Sequence, residues 1–125
     1  MALTKRFGWE GEMVVSRDLL LKQGLDVYHS VVDDNLCDLV VDTGKKLKRV
    51  QVKAKRALRG TCLEIKLTKY KQSSIDVIAV WYEPKNIIAY VPYQGEDHLL
   101  LAVETAKNKQ EKGRNWFYRY MEFPL

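Results

Sequence analysis

The sequence predicts an α/β (α+β) domain with one central mixed β-sheet flanked by helices. Three observations predict this class: a helical apolar period near the N-terminus, several short strand-like segments after it, and an aromatic-rich tail. The 125 residues contain no repeat, no low-complexity tract and no linker rich in proline or glycine. We therefore expect a single domain over residues 1–125.

Local patterns define the individual elements. A helix is predicted over residues 9–23, where apolar positions recur with the helical period and Gly24 is a natural stop. The segments that alternate in polarity or are apolar throughout are predicted as strands: residues 26–32, 36–42, 47–54, 61–67, 75–82 and 86–91. Residues 33–35 and 43–46 have the composition of turns. Residues 98–103 fit either a short strand or a helix, and we expect the tail 115–123 to form a helix that closes the core.

The composition excludes several classes of protein. An apolar fraction of 46% and a charged fraction of 30% are typical of a globular domain. No apolar run approaches the ~18 residues that a membrane span requires, and the first residues lack the features of a signal peptide. We therefore expect a cytoplasmic protein that makes no membrane contact. The two cysteines lack the spacing of a zinc site, and the sequence has no P-loop, dinucleotide-binding or EF-hand motif.

Residues 43–71 carry the whole positive excess of the chain. They hold 11 basic side chains and 1 acidic side chain, a net of +10, whereas the formal net charge of the chain is +5. A cluster this dense favours a nucleic acid partner, and a solvated lysine-rich surface is the alternative interpretation. The side chains that we predict to bind nucleic acid are Lys45, Lys46, Lys48, Arg49, Lys55, Arg56, Arg59, Lys69 and Lys71. Trp9 and Tyr70 are further candidates, for stacking on bases.

Four polar residues are predicted to converge on one candidate site. Glu12 lies on the face of the first helix that carries its apolar residues, where a carboxylate is costly unless it is paired or binds a cation. Asp38 interrupts an apolar strand, and Gln51 and Lys53 leave one face of the next strand because they are two residues apart. Asp38 and Gln51 are equally distant from the turn between the two strands, so we expect them to lie near one another. For Glu12 alone, a favourable position near the helix N-terminus is an equally good interpretation.

These residue types indicate a divalent metal site. Carboxylate and carbonyl oxygens are the ligands that Mg²⁺ prefers, with water completing its coordination. A metal held by Glu12, Asp38 and Gln51 would polarise a phosphoryl oxygen and acidify a bound water. The ammonium group of Lys53 would then stabilise charge that develops on the phosphate or position the attacking water.

The arrangement Gly11-Glu12, Asp38 and Gln51-Val52-Lys53 resembles the motif of the PD-(D/E)XK nuclease superfamily. More closely, the stretch from Gly11 to Lys53 resembles the subgroup that contains a cyanobacterial group I intron-encoded homing endonuclease. That subgroup has Gln-x-Lys where most of the superfamily has an acidic residue before x-Lys. The resemblance is strong over residues 8–54 and looser over residues 75–92.

The resemblance implies a restriction-endonuclease-like core and hydrolysis of DNA phosphodiester bonds that depends on Mg²⁺ or Mn²⁺. It implies that Glu12, Asp38 and Gln51 surround the metal and that Lys53 acts in catalysis. A homing or junction-resolving enzyme is expected to act as a homodimer or homotetramer, since two strands require two sites. Two alternatives stay open. Because Gln51 carries no charge, the chain is also consistent with a catalytically inactive DNA-binding protein on the same fold, and its basic face also suits an acidic protein partner.

Overall fold

The computed structural model describes residues 2–31, 37–70, 74–105 and 113–125. Helix α1 spans Leu3–Arg17 and continues as one π-helical turn, Asp18–Lys22. The strands of the described residues are β1 (Asp26–His29), β2 (Leu39–Asp42), β3 (Leu47–Lys55), β4 (Cys62–Lys66), β5 (Val77–Tyr82), β6 (Ile87–Pro92) and β7 (His98–Ala102). Within these ranges, no helix combines the length and apolar character that crossing a bilayer would take.

The predicted mixed sheet is confirmed. Five strands pair in the order β1-β2-β3-β5-β6, and β4 pairs with β7 in a separate two-stranded sheet. The β3–β5 pair is parallel, whereas the β1–β2, β2–β3 and β5–β6 pairs are antiparallel. A parallel pair requires a crossover connection, and the chain between β3 and β5 includes β4.

Different elements cover the two faces of the main sheet. Alternate residues of β5 belong to two separate cores, so that all six of its side chains are buried. On one face, Val77 and Ala79 share a core with Val15 and Leu19 of α1 and its π-helical turn. On the other face, Ile78 lies in a core with residues of the β4–β7 sheet. The uninterrupted apolar run that predicted β5 is therefore the pattern of a strand covered on both sides.

Several predicted boundaries differ from the observed ones. The helix begins at Leu3, six residues before the predicted start at residue 9. The earlier start could not be predicted, because Ala2 offers no side-chain cap and Gly8 weakens the helical pattern. The turn at residues 33–35 lies outside the described residues, as do the end of the predicted strand 26–32 and the start of the strand 36–42. Within residues 98–103, for which strand and helix were both open, residues 98–102 form strand β7.

The prediction of a helix over residues 115–123 is wrong. The structure has only a short 3₁₀ turn at Phe117–Tyr120. The reason is that Phe117 and Phe123 are both buried but belong to the cores on opposite faces of the sheet. One amphipathic helix presents a single apolar face, so it cannot supply both cores.

Helix α1 packs closely against the sheet at Gly11. A Cβ atom at this position would lie 3.0 Å from the Cβ of Ala54 and 3.7 Å from a methyl group of Val52. The group that approaches Gly11 is therefore strand β3. This contact fixes the level of Glu12, the next residue of the helix, relative to residues 52–54 of the strand.

We expect substitution of Gly11 by valine to destabilise the fold by about 2 kcal/mol, because the added side chain would force α1 away from β3. Urea denaturation measures this free energy of unfolding. The matched control is Gly8→Ala in the same helix, where nothing lies within 4 Å of an added Cβ. That variant is expected to gain about 0.5–1 kcal/mol from helix propensity alone. Equal effects of the two substitutions would contradict the close packing at Gly11.

Candidate active site

The β2–β3 hairpin brings Asp38 next to Gln51, as its turn predicted. Leu39 pairs with Val50 and Asp42 with Leu47 in the antiparallel register. The N–H of Asp38 donates a hydrogen bond to the carbonyl of Val50 at 2.9 Å, which continues the ladder by one residue. The register of the hairpin is therefore confirmed, and Asp38 enters the strand pair opposite the start of the Gln51–Lys53 segment.

The carboxylate of Asp38 accepts a backbone hydrogen bond that a neighbouring strand would otherwise accept. Strand β2 begins at Leu39, whereas β3 runs on to Lys55. The N–H of Val52 points to the side on which β2 has ended, and it donates to Oδ2 of Asp38 at 2.9 Å. This bond satisfies a backbone donor that would otherwise be unpaired, and it fixes the carboxylate beside the strand.

Gln51 places an unsatisfied acceptor in the same region. Its Oε1 is buried and has no hydrogen-bond partner among the described residues, while its Nε2 makes only a long bond of 3.4 Å to the carbonyl of Val52. A buried amide oxygen without a partner costs free energy, and native proteins rarely retain one without a ligand or water to satisfy it. This oxygen is therefore available to bind a ligand.

Lys53 lies on the same face of β3 as Gln51 and is half-buried. Its Nζ lies 4.7 Å from the centre of the Tyr70 ring. Burial, together with the positive charges of Lys69 and Lys55, lowers the pKa of Lys53 to about 8, although the charge of Asp38 opposes this shift. The site thus holds a partly desolvated ammonium group, whose interaction with an anion would be stronger than in water.

Burial also raises the pKa of Asp38 above its ordinary value. The hydrogen bond from Val52 and the charges of Lys53 and Lys69 act in the opposite direction but are smaller. Both the acid and the base of this site are therefore held in an environment that disfavours their charged forms. Perturbation of neighbouring groups in this way is typical of functional sites, where a ligand supplies the missing charge.

Glu12 lies on helix α1, which packs against the face of β3 that carries Val50 and Val52, whereas Gln51 and Lys53 lie on the other face. Glu12 follows Gly11, whose closest contacts are with Val52 and Ala54, and it is half-buried. Its backbone carbonyl accepts a hydrogen bond from the Ser16 hydroxyl at 2.7 Å. The backbone of Glu12 is thus at the level of Lys53, while the placement of its carboxylate beside Asp38 stays a prediction.

The donor set fits a hard divalent cation. Among the described residues, no three histidine, cysteine, aspartate or glutamate side chains are grouped to hold a metal by themselves. The candidate set instead has two carboxylates, from Glu12 and Asp38, and the amide oxygen of Gln51. Oxygen donors of this kind suit Mg²⁺ or Mn²⁺, with water completing the coordination. The unpartnered Oε1 of Gln51 is the structural observation that favours such a ligand.

The predicted basic residues lie in several different environments. Lys45 and Lys46 are exposed in the hairpin turn, Lys55 shares the site face of β3, and Lys69 lies 5.3 Å from the centre of the Tyr70 ring. Lys71 lies outside the described residues. The remaining four have partners within the fold. Lys48 donates a hydrogen bond to the Pro124 carbonyl, and Arg49 pairs with Asp76. Arg56 pairs with Glu83, and Arg59 pairs with Glu64.

A groove of about 560 Å³ lies beside the candidate site. It is lined in part by Lys53, Lys55, Arg59, Glu64 and Lys66. Lys66 is exposed at the end of β4 and was not among the predicted nucleic-acid-binding residues. The groove connects the Lys53 side chain to a basic surface, which is the environment that a phosphodiester chain requires.

Tyr70 belongs to this site although sequence reasoning assigned it only to base stacking. With 6% of its surface exposed, it is too buried to stack on a base, whereas Trp9 is 53% exposed. The one signal in the sequence is its position between Lys69 and Lys71. No spacing rule links it to Lys53, because the contact depends on how the chain returns to the sheet after β4.

Comparison with known proteins identifies the family. The model of the PD-(D/E)XK endonuclease family matches residues 2–123. Among solved structures, the chain is similar to the bacterial homing endonuclease I-Ssp6803I, with a TM-score of 0.69 and 22% sequence identity. The match covers 95% of this chain and 88% of the other. A comparison with curated proteins finds no match. Because the family model extends over almost the whole chain, the protein belongs to the PD-(D/E)XK endonuclease family.

Proposed function

We propose that the protein is a metal-dependent endonuclease that hydrolyses phosphodiester bonds of DNA, with Mg²⁺ or Mn²⁺ as its cofactor. One observation carries this proposal: the Asp38 carboxylate, bound by the Val52 N–H, lies beside a desolvated Lys53 and a buried Gln51 oxygen that has no partner among the described residues. Membership of the endonuclease family supports it. The fold of a homing endonuclease supports a homing type, and a junction-resolving type is the other candidate.

In this proposal, each residue has a distinct role. Glu12, Asp38 and Gln51 hold the metal, which when bound supplies polarisation of a phosphate oxygen and acidification of a water. Asp38 is fixed for this role by its hydrogen bond to the β3 backbone. Lys53 is in its charged form below pH 8 and stabilises negative charge as it develops on the phosphate. Low solvation around Lys53 makes that interaction stronger than it would be at an exposed position.

The DNA backbone is proposed to follow the groove beside Lys53. Lys55 and Lys66 supply positive charge there, and Lys69 supplies it beside the Tyr70 ring. Lys45 and Lys46 supply it at the far end of the hairpin. Arg49 and Arg59 contribute less to DNA binding than a count of basic residues indicates, because they form ion pairs with Asp76 and Glu64. Binding of this kind weakens steeply as salt releases the competing counterions from the DNA.

We also propose that the protein acts as a homodimer or homotetramer. The chain has one candidate site, and cutting both strands of a duplex requires two sites related by symmetry. Light scattering of the protein with and without DNA measures the assembly. A monomer under both conditions would contradict this part of the proposal.

The test is incubation with supercoiled plasmid, linear duplex and four-way-junction DNA, each with Mg²⁺, with Mn²⁺ and with a chelator. We expect metal-dependent cleavage of at least one form, and the form that is cut distinguishes a homing type from a junction-resolving type. Absence of nicking in all three DNA forms with either metal would contradict the nuclease proposal.

A second candidate is a DNA-binding protein on the same fold that has lost catalysis. The observation that favours it is Gln51, a neutral residue where the motif that names the family has an acid. This candidate predicts DNA binding that depends on salt but not on divalent metal. Cleavage by the wild-type protein, or metal binding that disappears in Asp38→Asn, would reject it.

A further inference from the structure

The hydroxyl group of Tyr70 is buried and makes no hydrogen bond within the described parts of the chain. The residue as a whole is 6% exposed. An orphaned hydroxyl in the interior costs free energy that a phenylalanine of the same shape would not incur. The hydroxyl therefore brings the fold no evident stability, which points to a role in binding a ligand.

The surroundings of Tyr70 are those of the candidate site. Lys53 and Lys69 place their Nζ atoms 4.7 Å and 5.3 Å from the centre of its ring. Burial, with a smaller contribution from the charge of Asp38, raises the pKa of Tyr70 to about 12. Like any tyrosine hydroxyl at neutral pH, this group carries a proton and can donate a hydrogen bond.

The chemistry of this environment selects an anionic acceptor. Two ammonium groups converge on the ring, and their charges favour a negatively charged ligand between them. The Asp38 oxygen Oδ2 already accepts a bond from Val52, and Gln51 offers an acceptor that suits a cation. The site thus has an unsatisfied acceptor for a metal and an unsatisfied donor for an anion.

We propose that the Tyr70 hydroxyl binds the substrate, by donating a hydrogen bond to a phosphate oxygen when DNA occupies the site. This inference rests on the proposed nuclease function for its substrate class. It adds to the metal-binding and lysine positions a residue that the sequence motif does not contain. The contact requires that the phosphate lie near Lys53 and Lys69, the two cations close to the ring, and that the buried hydroxyl become accessible to it.

Tyr90 provides a matched control on the opposite face of the sheet. It is also buried, but its hydroxyl donates to Oδ2 of Asp18 at 2.5 Å. We expect Tyr70→Phe to keep or raise the melting temperature and to lower the single-turnover cleavage rate about 10- to 100-fold. This factor corresponds to the loss of one hydrogen bond to a charged group. Tyr90→Phe is expected to show the reverse: a lower melting temperature and an unchanged cleavage rate. A purely structural Tyr70 would lower stability and leave the rate unchanged, and that result would overturn the proposal.

A second measurement does not depend on cleavage. Protein labelled with ¹³C at the tyrosine Cζ is titrated by NMR with a short DNA duplex in Ca²⁺, and the Tyr70 signal is identified by its absence in Tyr70→Phe. We expect the Tyr70 signal to shift on addition of DNA and the Tyr90 signal to stay in place. A Tyr70 signal that does not move would overturn the inference. If the signal moves but no DNA form is cut, the phosphate contact stands and the nuclease proposal fails.

Discussion

Replacement of Lys53 by methionine is expected to lower the cleavage rate about 10³-fold while making the protein more stable. The rate falls because the ammonium group that stabilises charge on the phosphate is removed. Stability rises because a half-buried charge that Lys69 and Lys55 repel is replaced by an apolar side chain of similar length. The gain in the free energy of unfolding should be about 1 kcal/mol at pH 7, since solvent still screens part of the group.

The pH dependence of this gain tests its cause. The folded pKa of Lys53, about 8, is below its ordinary value of 10.5, so the folded state disfavours the proton. The cost to folding is fully present below pH 8 and disappears as the pH rises through 10.5. Urea denaturation of the wild type and of Lys53→Met should therefore give free energies that differ at pH 7 and converge near pH 10.5. A difference that is constant with pH would contradict the desolvation of Lys53.

The control for this variant is Lys85→Met. Lys85 is exposed in the 3₁₀ turn Glu83–Lys85 between β5 and β6 and lies outside the candidate site. We expect it to change neither the cleavage rate nor the pH dependence of stability. A comparable loss of cleavage in both variants would indicate a general effect of lost positive charge instead of a role specific to Lys53.

Substitution of Asp38 by asparagine is expected to abolish detectable cleavage, with a loss of about 10³-fold or more, and to leave DNA binding within about threefold. Asparagine has nearly the same shape, and its carbonyl oxygen can still accept the bond from the Val52 N–H. The fold should therefore persist, while the charged ligand for the metal is lost. Single-turnover cleavage and a gel-shift titration measure the two quantities.

Asp42→Asn is the matched control at the other end of β2. Asp38 directly precedes this strand, whereas Asp42 ends it beside the hairpin turn, where its Oδ1 accepts a bond from the Gly44 N–H at 2.8 Å. We expect normal cleavage from this variant. Retained cleavage in Asp38→Asn, or an equal loss in Asp42→Asn, would remove Asp38 from the proposed metal site.

The hairpin that builds the site could be predicted from the sequence because its geometry is local. The turn at residues 43–46 sets the pairing of β2 with β3, and the alternation of apolar and polar residues in β3 sets which side chains share a face. A shift of one residue would turn Val50 and Val52 away from the core that they share with α1. The position of Asp38 beside Gln51 follows from these constraints alone.

The features that the sequence did not reveal depend on long-range packing. Tyr70 reaches the site because the chain after β4 folds back onto the face of the sheet that carries Lys53. Phe117 and Phe123 enter different cores, so no helical period could describe the tail. The pairing of Arg49 with Asp76 joins β3 to the residue directly before its parallel neighbour β5. Charge counting cannot distinguish such a paired arginine from one that is available to DNA.

Calorimetric titration with Mn²⁺ tests most directly whether Asp38 and Gln51 form a metal site. For the wild-type protein we predict saturable binding that disappears in Asp38→Asn and becomes tighter in Gln51→Glu, which adds a negative charge at the unpartnered oxygen. Absence of binding to the wild type, or binding of equal affinity in Asp38→Asn, would contradict the account.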